Sequence, residues 1–186
     1  MQKLFARLVY WPTLAWNVLW GRMLKVRAWW SRVDDHVILG AVPFRSDVEL
    51  LHREGVVAVI NTCYEFAGPC DDYQRVGIVQ LHLPTIDFTS PTLEDVERGV
   101  EFIRQHAERG GTVYVHCKAG RARSATVVAC WLIASQGISP EEAQRILLQR
   151  RPFVLPRIAQ RQVVQDFHAN FVARSIGATD VQDDGC

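Results

Sequence analysis

From Val37 onward, short apolar runs alternate with longer stretches in which apolar residues recur every three or four positions. VVAVIN at 56–61, IVQLHL at 78–83 and TVYVHC at 112–117 predict strands, the first and third rich in Val as fully buried strands are. Between them lie predicted helices. In 92–109, Val96, Val100 and Ile103 fall on one helical face, Ser90-Pro91-Thr92 supplies a start and Gly110-Gly111 a stop. A second helix is predicted from Ser124 to Gln136, closed by Gly137. A third begins at Ser139-Pro140-Glu141-Glu142, a capping-box pattern with Pro at the first helical position. A fourth covers 158–173, after the break from Pro152 to Pro156. This order predicts an α/β fold with a central, mostly parallel sheet of about four to five strands flanked by helices.

Ahead of this pattern, LFARLVYWPTLAWNVLW at 4–20 is apolar and aromatic. Arg7, Pro12 and Asn17 interrupt it, and it falls short of the ~20 clean residues that a spanning helix needs. It has no convincing small-residue cleavage site, and an Arg-bearing, acid-free mitochondrial-type presequence stays open. The expected organisation is a cationic aromatic segment over 1–33, lying at a membrane interface or packed on the core, then a catalytic domain over 34–174. Residues 175–186 are small and acidic and are expected to be a disordered tail.

A chain of 186 residues suits one core. Its 21 basic and 20 acidic side chains argue against a nucleic-acid surface. The charge is uneven, however: Lys3, Arg7, Arg22, Lys25, Arg27 and Arg32 all precede the first acid, Asp34. Five of the six tryptophans fall in the first 30 residues, and indole rings favour the bilayer boundary. The five cysteines form no CxxC pair, so neither disulfides nor a metal knuckle is expected and a reducing compartment fits. No metal or other cofactor is expected.

The candidate chemistry lies in HCKAGRARS at 116–124, where a buried strand runs into a short loop and directly into a helix. A bare C-x5-R match is weak. His116 before the cysteine, Gly120 mid-loop, Ser124 after the arginine and the flanking strand and helix make it specific. A loop ending at a helix N-terminus turns orphan N–H groups and the positive end of the helix dipole toward an anion. Lys118, Ala119, Gly120, Arg121, Ala122 and Ser124 are therefore expected to surround a phosphate. The same field favours a thiolate at Cys117, the expected nucleophile. Arg123 is expected to grip two phosphate oxygens at once, a geometry that Lys does not reproduce. Ser124 is expected to donate to the sulfur, His116 to fix the loop through its ring nitrogens, and Lys118 and Arg121 to add charge at the rim.

A thiolate displacing an alkoxide needs a proton donor from another loop. Asp87, in PTIDFTSPT at 84–92, sits past a strand end, where α/β proteins place their sites. Glu65, after the strand at 56–61, is the rival or supporting carboxylate.

YVHCKAGRARSAT around the loop, TIDFT with Asp87, AVPFRS at 41–46 and the early YWPTLAW and RAWWSRVDD segments resemble the dual-specificity branch of the protein tyrosine phosphatase superfamily. Within it they are most similar to the phosphatidylglycerophosphate phosphatases of mitochondria, plants and bacteria. The resemblance covers 4–172 and implies a Cys117 nucleophile, an Arg123 phosphate ligand, an Asp87 acid and no metal. It further implies dephosphorylation of phosphatidylglycerophosphate to phosphatidylglycerol on the cardiolipin pathway; the cationic, Trp-rich front favours a phosphorylated lipid substrate and a peripheral place on an anionic membrane, bacterial cytoplasmic or mitochondrial inner, and a monomer is expected. Animal members carry glutamates before the tyrosine of the second acidic loop; this chain has Asn61-Thr62-Cys63 before Tyr64-Glu65. A protein tyrosine, serine or threonine phosphatase, or a phosphoinositide phosphatase, is the alternative that shares every catalytic residue.

Overall fold

The structure, a computed structural model, describes residues 10–16, 18–23 and 27–179, without the side chains of 21, 22 and 176–179. The cations at Lys3, Arg7, Arg22 and Lys25 and the acids of 180–186 lie outside the described residues or side chains. Residues 10–16 are helical (α1), and a π-helical turn, Leu19–Met23, follows. Then follow β1 (Trp30–Arg32), β2 (Val37–Gly40), α2 (Arg45–Arg53), β3 (Val56–Cys63), α3 (Cys70–Arg75) and β4 (Val79–Thr85). The remainder is α4 (Leu93–Ala107), β5 (Thr112–His116), α5 (Arg123–Gln136), α6 (Pro140–Arg150) and α7 (Gln162–Thr179).

The five strands form one sheet in the order β1-β2-β5-β3-β4, parallel throughout except for β1. Strand pleating sends alternate residues to opposite faces. Val113 and Val115 of β5 accordingly enter the larger core with α4, α5, α6 and α7, while Tyr114 between them joins Val48, Leu51 and Tyr73 beneath α2 and α3. Pro84 lies in β4, an edge strand, where a missing N–H is tolerated. The helix signals act where the sequence puts them. The hydroxyl of Thr92 accepts from the Asp95 N–H, that of Ser139 accepts from the Glu142 N–H, and Gly137 closes α5 at φ 64°. Helix α5 is buried on every side from Arg123 to Ile133, as a central helix must be.

Two boundaries differ from the sequence pattern. The last helix starts at Gln162, not 158, because the side chain of Gln144 holds the preceding turns, accepting from the Ala159 N–H at 3.1 Å and donating to the Leu155 carbonyl at 3.2 Å. It then continues to Thr179, so the chain is still helical beyond Ser175, where the disordered tail was expected to begin. At the other end, Tyr10 and Leu14 of α1 are buried against Val42, with Val18, Trp29 and Phe66 around them. Among the described residues no helix is long and apolar enough to cross a membrane.

Candidate active site

Central β5 ends at His116, and residues 117–122 wrap from its carboxyl end to the first turn of α5. Tight backbone packing shapes this loop. Gly120 takes φ 64°, and a Cβ there would stand 2.5 Å from the Gly40 carbonyl oxygen, so only glycine fits. Cys117 is 4 % exposed at the base of the loop, and its Sγ accepts from the Gly120 N–H and from Ser124 Oγ, both at 3.2 Å. Burial alone would push this thiol up; the Arg123 guanidinium and the Ser124 hydrogen bonds outweigh it and bring the pKa down to about 7.

Arg123, at the start of α5, is 2 % exposed. Its Nη1 donates to Glu65 Oε2 at 2.9 Å and to the Thr85 carbonyl at 2.8 Å, which aims the guanidinium plane. Its Nη2 lies 3.1 Å from Asp87 Oδ1 but makes no hydrogen bond there, a buried donor left over. Buried donors are nearly always satisfied, so an orphan beside a thiolate marks where an anion belongs. Glu65 also accepts from the Asp87 N–H at 3.0 Å, so one carboxylate, side chain 1 % exposed, fixes both the arginine and the acid loop. Both carboxylates have both oxygens engaged, Asp87 through the Phe88 N–H at 3.2 Å and the Lys118 ammonium; what separates them is place, since Asp87 lines the cleft and Glu65 lies behind it.

One expectation changes. Lys118 does not sit at the rim: its buried ammonium is ion-paired to Asp87 Oδ2 and donates to Thr13 Oγ1 of α1 at 2.8 Å. His116 is fully buried; desolvation holds its pKa down to about 3 against the opposing pull of a hydrogen bond with the Cys117 backbone, so the ring is neutral. Its backbone carbonyl accepts from Thr62 Oγ1 at 2.9 Å. Arg121 keeps its rim position, with Nε bound to the Phe153 carbonyl at 2.9 Å.

Other residues of the site are given no role by the sequence reading. Arg151, buried behind the loop, donates to the carbonyls of Gly120 (2.9 Å), Ala119 (3.2 Å), Ala28 (3.1 Å) and Trp29 (3.3 Å). It thereby ties the approach to β1 to the phosphate loop. Thr13 and Trp16 of α1, Leu155 and Arg161 complete a cleft of about 430 Å³ over Cys117, Asp87 and Arg123. Their positions come from non-local packing, which no spacing rule encodes.

Known proteins share this arrangement. A model of the dual specificity phosphatase catalytic domain matches residues 37–170. The human phosphatidylglycerophosphatase and protein-tyrosine phosphatase 1 is 40% identical over 179 residues, covering 91% of this chain and 89% of its own length. The Arabidopsis thaliana phosphatidylglycerophosphate phosphatase PTPMT1 is also 40% identical over 179 residues, covering 94% of this chain and 53% of its own length. Among solved structures, PTPMT1 in complex with PI(5)P superposes with a TM-score of 0.73 at 36% identity, over 79% of this chain and 99% of that one. A thiolate beneath an arginine-anchored phosphate loop, on a sheet matched over this length, makes the chain a member of the dual specificity phosphatase family, on the branch of the phosphatidylglycerophosphate phosphatases, and a cysteine-dependent phosphomonoester hydrolase.

Proposed function

We propose that the chain dephosphorylates phosphatidylglycerophosphate to phosphatidylglycerol through a phosphocysteine at Cys117. The observation that carries the chemistry is that Cys117 Sγ and the Arg123 Nη2, which is beside Asp87 but makes no hydrogen bond, share the base of one cleft. Two phosphate oxygens take the Arg123 fork, and the others take N–H groups of the loop from Lys118 to Ser124. As the S–P bond forms, the P–O bond to the glycerol breaks and Asp87 gives its proton to the departing oxygen. Water then attacks phosphorus, Asp87 takes the proton back, and the sulfur leaves as a thiolate held by Ser124 Oγ.

The lipid assignment rests on the surroundings of the cleft and on the relatives' names. Trp16, 58 % exposed, and Phe88, 74 % exposed, stand at its mouth; Trp11, 69 % exposed, and Met23, 72 % exposed, belong to the same N-terminal segment. Indole and apolar side chains of this kind favour the interface, so the enzyme sits peripherally on an anionic membrane with the cleft at headgroup depth. Phosphatidylglycerophosphate and PI(5)P, the ligand in the neighbouring structure, both carry a phosphomonoester on a polyol that is itself joined to the lipid by a phosphodiester. The deciding assay compares phosphate release from phosphatidylglycerophosphate, PI(5)P and phosphotyrosine and phosphothreonine peptides, the lipids presented in vesicles. The expected order puts phosphatidylglycerophosphate first by tenfold or more in kcat/KM. A phosphopeptide preferred over both lipids would make this a protein phosphatase.

A further inference from the structure

Besides Arg123, two guanidinium groups line the cleft: Arg161, just before α7, and Arg121 of the loop. Neither has a carboxylate partner among the described residues, whereas Arg123, the third guanidinium of the cleft, is paired with Glu65 and Asp87. Arg161 is not adrift, since Nη1 donates to Ser90 Oγ at 3.1 Å and to Thr126 Oγ1 at 3.2 Å. These hydroxyls orient the group without neutralising it, and they come from the acid loop's flank and from α5. The guanidinium is partly desolvated, and the charge at Cys117 is close enough to act on it. A cleft of about 430 Å³ exceeds what one phosphate fills, because pockets of about 300–1,000 Å³ hold whole drug-sized ligands. A half-buried guanidinium held by hydroxyls and an exposed one beside it, neither neutralised by a carboxylate, attract a second anion in such a space.

We infer that Arg161, with Arg121, forms a second anionic subsite, which holds the phosphodiester of the substrate while Arg123 holds the phosphomonoester to be cleaved. The inference rests on the lipid reading above and adds how that substrate is told apart from other phosphomonoesters. A substrate with two phosphates separated by one glycerol engages both subsites. A lone phosphomonoester or a phosphotyrosine side chain engages one.

The test uses the full chain and soluble substrates, which removes the membrane from the comparison. Phosphate release is measured from glycerophosphoglycerophosphate, the deacylated headgroup with two phosphates, and from glycerol 3-phosphate, with one. The readout is the ratio of the two kcat/KM values. The wild-type ratio is expected to exceed roughly tenfold, the worth of one charge-assisted hydrogen-bonded contact, and Arg161→Gln is expected to remove most of it, chiefly through KM. Arg121→Gln, at an exposed position, is expected to lower it about threefold. A general structural lesion slows both substrates together and leaves the ratio where it was. A wild-type ratio near one, or a folded Arg161→Gln with the wild-type ratio, overturns the subsite; if Arg161→Gln does not fold, an unchanged ratio in Arg121→Gln does so. The lipid reading is judged separately, by wild-type selectivity in vesicles, so either can fail without the other.

Discussion

Cys117 carries a pH dependence whose sign follows from its surroundings. With its pKa lowered to about 7, the thiolate fraction falls about tenfold for each pH unit below that value and is full above it. Iodoacetamide alkylation at Cys117, read by peptide mass, is expected to rise with pH to a midpoint near 7 and to be suppressed by phosphate. Ser124→Ala removes the hydroxyl donor at 3.2 Å, so the midpoint should move upward; a midpoint that stays put would show that Arg123 and the backbone suffice. Cys63 and Cys130 are held protonated by burial and should stay unreacted across this range. Two carboxylates separate by their dependence on the leaving group. Asp87→Asn should cost roughly 10²–10⁴ in kcat on alkyl phosphates and little on aryl phosphates that leave without a proton. Glu65→Gln, which loosens Arg123 and the acid loop together, should cost roughly tenfold on both kinds alike.

At the scale of elements, the phosphate loop is held from two sides. Arg151 supports it from behind, and burial lowers its pKa only to about 10, so it stays charged at neutral pH. Arg151→Met would leave the carbonyls of Ala119 and Gly120 without this donor, for a loss of about 3 kcal/mol, seen as a lower denaturation midpoint with an unchanged slope. Gly120→Ala meets the Gly40 carbonyl and requires a positive φ, so the loop must shift. Its expected signature is loss of turnover beyond the loss of stability, since the Gly120 N–H also binds Cys117 Sγ. Helices α4, α5 and α6 were legible because their caps and apolar periodicity are local signals. Strands β1 and β2 and helices α2 and α3 were not assigned from sequence: β1 has three residues and α3 six, too few to show a period.

Over the whole molecule, α1 packs on the core and walls the cleft, through Tyr10 and Leu14 in the apolar cluster and Thr13 on Lys118. Deleting 1–28 should therefore abolish hydrolysis of a small soluble phosphate as well as of lipid; full soluble activity in the truncated protein would show that the wall is dispensable. Trp11→Ser with Met23→Ser, which alters exposed positions away from the cleft lining, should weaken vesicle binding several-fold and leave aryl phosphate turnover intact. A double variant that binds vesicles as the wild type does would remove these side chains from the membrane contact. The sequence by itself determined the parallel α/β order and the phosphate-loop motif, because strand period, helix caps and the Cys117-to-Arg123 spacing are properties of neighbouring residues. Tertiary structure alone decided that Glu65 holds Arg123 and Asp87 together, that Lys118 is buried against Thr13, and that Arg151 and Arg161 come to the loop from far along the chain. The reason is physical: a hydrogen bond or ion pair depends on where backbones converge in space, and this convergence is set by sheet order and helix packing, which leave no period or spacing along the chain.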